Sequence, residues 1–219
     1  MHFLSHYYTE LPAKDPLFLT GLLLPDLTPG FTRIYNSLIV KHTAPTSHAL
    51  KQIHLGIVQH IGADKRFHNS PLFVQQVKDA IQAFLQAGLS RERLRLSVIA
   101  HVAVEMMIDR QIILENEGIC TEYYTLLSQA SEMDLTNYFN CYKLEEEKKI
   151  FLRSFQFYKQ KKFLLLFTEI ENIVEGLSRV YSNVAKTGFT AEEKLKFLTA
   201  LHNIDSHMRY SWQPILKTK

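Results

Sequence analysis

The run from Arg95 to Glu115, RLSVIAHVAVEMMIDRQIILE, constrains this chain more than any other stretch. Its apolar filling is that of a buried helix, yet it carries His101, Glu105 and Asp109. On a helix each four-residue step turns about 40° past a full turn and climbs ~6 Å, so these three side chains form one slowly drifting polar stripe. Around them stand Val102, Ala103, Val104, Met106, Met107 and Ile108. Carboxylates among such neighbours are costly to bury unless something positive pairs with them. Two readings are open. The histidine is hydrogen-bonded in the core and the acids pair with arginines such as Arg93, Arg110 or Arg153, or the stripe holds a metal ion. A second stretch, from His54 to Ser70, repeats the pattern with His60, Asp64 and His68 at the same steps. Imidazole and carboxylate together suit first-row transition ions, so the two matching stripes predict one shared metal site.

The rest of the chain predicts helices and no strands. Asp15-Pro16 reads as a helix start, with Asp15 as N-cap and Pro16 at the first helical position. Pro25 disfavours helix at Leu24 and sets Asp26 on a corner. A short helix is predicted over Phe31 to Val40. From Ala44 to Phe67 the apolar Leu50, Ile53, Ile57, Val58 and Ile61 recur at helical spacing, with Gly56 and Gly62 allowing close backbone approach. Ser70-Pro71 opens a helix that stops at Gly88, and Ser90 is the expected cap of the central helix. Residues 121 to 141 read as two short helices, Lys143 to Phe167 and Thr168 to Val184 as longer ones, and Ala191 to Leu216 as the last, bearing His202, Asp205 and His207. The predicted fold is an all-α, single-domain helical bundle, since 219 residues with 46% hydrophobic side chains suffice for one sizeable core.

Charge excludes some partners. Lysine and arginine exceed aspartate and glutamate by 25 to 22, too little to call for nucleic acid or an anionic membrane. Ten histidines are the more notable feature. Cys120 and Cys141 offer neither ligand spacing nor a disulfide framework. No run is apolar for long enough to span a bilayer, and MHFLSHYYTELPAKD lacks the basic and apolar regions of a signal peptide. The expectation is a cytoplasmic protein. His2, His42, His48 and His54 read as structural or exposed.

Taken in order, HFLSHYY, Gly21-Leu22-Leu23-Leu24-Pro25-Asp26, His60-x-x-x-Asp64, Glu105-x-x-x-Asp109 and Ile204-Asp205-Ser206-His207 resemble the acyl carrier protein phosphodiesterases. That family is similar in fold to the HD-domain metal-dependent phosphohydrolases. The likeness covers most of the chain, most strongly before residue 112. Where the family pattern opens Asn-Phe-Leu-Ala-His, this chain has His2 and His6. In the Gly-Asn-Leu-Leu-x-Asp corner Leu22 replaces the asparagine and Asp26 is kept. In the His-Arg-x-Ile-Asp helix Ile61 replaces the arginine, and His68 stands at the family's next acid. Glu105 and Asp109 fall on its Asp-x-x-x-Asp-His element with Arg110 in place of the histidine, and His101 is an addition one turn earlier.

The resemblance implies an HD-domain-like bundle that uses a divalent cation, commonly manganese, with iron, zinc, nickel or magnesium as alternatives. It implies hydrolysis of the phosphodiester that joins 4′-phosphopantetheine to holo acyl carrier protein, which would be the partner. Asp26, His60, Asp64 and Asp109 are then the expected metal ligands. Glu105 and His6 lie against the ion or just behind it, and His101 orients water or protonates the leaving alkoxide. A second ion is allowed for, because the set offers more ligands than one needs. Other phosphoesters, or a structural metal in a non-catalytic helical protein, are the alternative readings.

Overall fold

The computed structural model of the chain describes residues 1–37, 47–208 and 211–216, and the regular elements among them are all helical. In chain order these are α1 (Phe3–Thr9), α2 (Pro16–Leu27), α3 (Phe31–Ser37), α4 (His48–His68), α5 (Pro71–Gln86), α6 (Leu96–Glu115), α7 (Ile119–Ser128), α8 (Glu132–Cys141), α9 (Glu145–Lys161), α10 (Ile170–Ala185), α11 (Ala191–Met208) and α12 (Trp212–Leu216), with a 3₁₀ turn at Phe163–Leu166. The fold class is all-α. Leu38 to Val40, His42 and the first residues of the predicted helix from Ala44 lie outside the described residues.

By its internal contacts the chain divides into two compact units, each assembled from separated stretches. The first comprises Met1–Ser5, Arg66–Glu117 and Leu164–Lys219; the second comprises His6–Lys65 and Gly118–Phe163. Among the described residues no helix is long and apolar enough to cross a membrane.

In the second unit α2 begins as its sequence dictates. The Asp15 carboxylate accepts from the N–H groups of Leu17 at 2.8 Å and Phe18 at 3.0 Å, with Pro16 at the first position. The expected stop before Pro25 does not occur. The helix runs on to Leu27, so Asp26 sits in its last turn rather than on a corner. Pro25 removes one backbone hydrogen bond, but burial of Leu19, Leu22, Leu23 and Leu24 outweighs that loss. Two glycines bring α2 against α4. A Cβ on Gly21 would overlap the Ile53 carbonyl, and one on Gly56 would overlap the Phe18 carbonyl and lie 2.8 Å from Leu22 N. The close approach expected at Gly56 is therefore real. Phe31, Phe139, Phe151 and Phe155 form a chain of ring contacts through the core of this unit, and the hydroxyls of Tyr123 and Tyr158 meet at 2.8 Å.

In the first unit α6 is the buried centre, every residue from Ala103 to Ile112 being buried, and it packs on α5, α10 and α11. Its start differs from expectation. Ser90 Oγ accepts from Glu92 N at 3.2 Å in a separate turn, and α6 begins only at Leu96. Two of the three arginines suspected of pairing with the stripe, Arg110 and Arg93, serve other acids. Arg110 bonds Asp205 at 3.1 Å and the carbonyls of Phe167 and Thr168, while Gln111 bonds the same Asp205 oxygen at 2.6 Å. Arg93 grips Glu193 through two guanidinium nitrogens. Glu193 also accepts from Thr190 N at 2.8 Å and its own N–H reaches Thr190 Oγ1 at 3.2 Å, a reciprocal cap at the head of α11. The predicted last helix is two elements. Pro214 cannot donate a backbone hydrogen bond and so lies near the start of the separate α12, whose Trp212 indole donates to Glu115 at 2.8 Å.

Candidate metal-binding groups

Among the described residues, six of the side chains singled out by sequence gather into two groups that could hold a metal ion, one in each unit, with no residue in common.

His6, Asp26 and His60 form the group in the second unit, their donor atoms all within 4.8 Å of one another. They come from α1, α2 and α4. His6 and His60 are 1% and 3% exposed and their rings stack at 4.0 Å, whereas Asp26 is exposed. His60 Nδ1 donates to the carbonyl of Leu22 at 2.7 Å. Leu22 lies three residues before Pro25, in the turn whose backbone bonding the proline relaxes. That hydrogen bond fixes the ring and leaves Nε2 to face Asp26 Oδ1, 3.6 Å away. In the neutral ring two lone-pair-bearing atoms then confront each other, an arrangement that needs a proton or a cation. Backbone carbonyls orient metal-ligating histidines in the same way.

His68, His101 and Glu105 form the group in the first unit. His68 ends α4, and His101 and Glu105 are one turn apart on α6. His68 Nε2 lies 2.8 Å from Glu105 Oε1, His101 Nε2 lies 3.3 Å from that oxygen, and the two Nε2 atoms are 3.1 Å apart. The α-ammonium of Met1 approaches the same oxygen at 3.1 Å and His68 Nε2 at 3.4 Å. Burial pushes the Glu105 carboxyl up, but the Met1 ammonium and the hydrogen bonds from His101 and His68 outweigh it and hold the group well below the usual carboxylate range. Phe73, 2% exposed, meets both imidazoles, at 5.3 Å from His68 and 5.0 Å from His101.

Asp109 and Asp64 belong to neither group. Asp109 is fully buried. Its carboxylate accepts from His2 Nδ1 at 2.5 Å, Leu4 N at 3.2 Å, Ser5 N at 2.8 Å and Ser5 Oγ at 2.5 Å. It thus caps the first turn of α1 from a distant helix. Asp64 is half-buried on α4. Of the other histidines, His48 and His207 are exposed and His54 lies between the hydroxyls of Tyr35 and Tyr138, where burial pushes its imidazole toward the neutral form. Reading the residues alone missed the Leu22 carbonyl and the Met1 amine, because main-chain atoms leave no mark in a sequence.

Comparison with family models, with curated proteins and with solved structures finds no match for this chain.

Proposed function

We propose that this chain is a metal-dependent phosphoester hydrolase whose ion is held by His6, Asp26 and His60. The first substrate to try is the 4′-phosphopantetheine phosphodiester of holo acyl carrier protein, which the resemblance selects. The observation that carries the reading is the confrontation of His60 Nε2 with Asp26 Oδ1, with Nδ1 already committed to Leu22. Three remote segments supply the three donors, and each is a segment on which the resemblance rests. Manganese is the ion that family commonly uses; two imidazoles and a carboxylate also accept iron, zinc or nickel, and magnesium less well.

A divalent ion there supplies Lewis acidity, which lowers the pKa of water and screens phosphoryl oxygens. The chain's own groups do the rest. The Leu22 carbonyl keeps the proton of His60 on Nδ1, so the Nε2 lone pair stays available. The stacked His6 ring restricts rotation of His60 and excludes water from the buried side. Asp26 forms the exposed side, from which a phosphoester must approach, and its charge would repel the substrate unless a cation lies between them. Substrate binding should therefore depend on metal. The role expected of His101 in protonating the leaving group is not carried over, since His101 is engaged with His68 and Glu105.

A structural ion without turnover is the second reading, favoured by the burial of both imidazoles. The test begins with metal content and the melting curve before and after chelation. Mass analysis of holo carrier protein then follows, with and without manganese, beside a generic phosphodiester and a phosphomonoester. Conversion of holo to apo protein is the readout. Metal-dependent release of the arm supports the carrier-protein reading, and turnover of small phosphoesters alone moves the substrate. Bound metal without any turnover leaves the structural ion, and a chain that binds no metal sinks both.

A further inference from the structure

We infer that His68, His101 and Glu105 are a second cation site, one that takes borderline ions such as zinc or cobalt(II) in preference to magnesium or calcium. The site shares no ligand with His6, Asp26 and His60, so the inference does not rest on the hydrolytic reading.

The first argument is spacing. Ligands bound at ~2.1 Å around an octahedral ion stand about 3.0 Å apart when adjacent, and around a tetrahedral ion about 3.4 Å apart. The three donor separations here are 2.8, 3.1 and 3.3 Å. All three atoms already occupy neighbouring positions of one coordination shell.

The second argument is a count of protons. If His68 Nε2 carries its proton and donates to Glu105, a protonated His101 Nε2 sets two donors against each other at 3.1 Å, and an unprotonated one sets its lone pair against the Glu105 oxygen at 3.3 Å. If instead His101 donates to His68, the 2.8 Å contact sets an imidazole lone pair against a carboxylate oxygen. No tautomer of the two neutral rings makes all three contacts favourable. A single cation at their centre does, because each atom then offers it a lone pair. The Met1 ammonium, 3.1 Å from Glu105 Oε1 and 3.4 Å from His68 Nε2, pairs with the same atoms, so a metal ion would have to displace it.

The third argument is access and rigidity. Glu105 has a side chain 11% exposed, while those of His68 and His101 are 30% and 40% exposed. The anionic ligand is thus buried and the two imidazoles line the way in. Phe73 packs against both rings and limits their rotation. Two nitrogens and one oxygen favour zinc, cobalt or nickel over the hard, oxygen-seeking magnesium and calcium. Three protein ligands leave the remaining positions to water or an exogenous anion.

The experiment is titration of the metal-stripped full chain with cobalt(II) chloride, followed by visible absorption and by calorimetry, then competition with zinc and with magnesium. Wild type, His101→Gln, His68→Gln and Asp26→Asn are compared, with helical circular dichroism recorded for each before metal is added. The expected result is a cobalt equivalent, additional to any held by His6, Asp26 and His60, that Asp26→Asn leaves in place and that each substitution at His68 or His101 weakens at least ~100-fold. Zinc should displace it, and a thousandfold excess of magnesium should not. Loss of all cobalt binding in Asp26→Asn, with both histidine variants binding as much cobalt as wild type, would overturn the inference while leaving the hydrolytic reading standing. Displacement by magnesium would overturn the ion class. Should either histidine variant lose helicity without metal, binding is judged from the other variant and from the nitrogen-ligand absorption that remains in Asp26→Asn. Absence of a spectrum characteristic of imidazole ligands in wild type overturns the inference outright.

Discussion

Asp109 holds Ser5 twice, its Oδ1 accepting the Ser5 backbone N–H at 2.8 Å and the Ser5 hydroxyl at 2.5 Å. The donors of the first turn of α1 need an acceptor, and His2, which precedes the helix, donates to Asp109 instead of accepting. A carboxylate 104 residues away in sequence therefore does the work of an N-cap. Asp109→Asn should lower the unfolding free energy by about 3 kcal/mol, because an amide replaces a buried, charge-assisted acceptor. Urea unfolding in metal-free buffer measures this. A variant that unfolds like the parent there, yet binds less metal, would return Asp109 to the set of ligands.

His60 and Asp64 lie one turn apart on α4 but differ in what they meet. His60→Gln should weaken binding at the His6–Asp26–His60 group by ~100-fold or more, as loss of a direct ligand exceeds the usual effect of losing an outer partner. Asp64→Asn should leave that affinity within about threefold. Equal losses in both, measured by calorimetry with manganese, would show that Asp64 reaches the ion.

Gly56 sets the distance between α2 and α4. Gly56→Ala places a methyl group against the Phe18 carbonyl and Leu22 N, atoms of a helix backbone that cannot rotate away. The expected cost is about 3 kcal/mol from overpacking. Because the Leu22 carbonyl orients His60, metal affinity should fall as well. A melting temperature unchanged by the substitution would mean that the helices separate without penalty.

Acid should loosen the first unit through Glu193. The hydrogen bonds from Arg93 hold its carboxyl down, against burial, and with the Thr190 contacts bring it to about 2, from 4.5 in the unfolded chain. The folded state binds the proton less readily, so the stabilisation is complete above the unfolded value and is lost as pH falls from about 4.5 toward 2. Glu193→Gln should lower stability at neutral pH and flatten the pH dependence across that window. Parallel curves for variant and parent, from unfolding at several pH values, would refute the assignment.

The sequence by itself determined the all-α class, most helix boundaries and the residue types of the two groups that could hold a metal ion, because helical spacing and the cost of burying charge are local or nearly so. His60, His68, His101 and Glu105 were marked by their helical stripes, and His6 and Asp26 by the resemblance. How they divide was decided by tertiary structure. A stripe at four-residue steps drifts by about 40° each time, so His60 and His68 are about 80° and ~12 Å apart along α4, and they join different groups. The same drift carries Asp109 away from His101 on α6, to the first turn of α1. Pro25 shows the converse. Its local preference against helix was legible, but burial of the leucines before it overruled that preference and put Asp26 in a helical turn. The Leu22 carbonyl that orients His60 is a main-chain atom, available in any residue, and only the packing of α2 against α4 gives it that role.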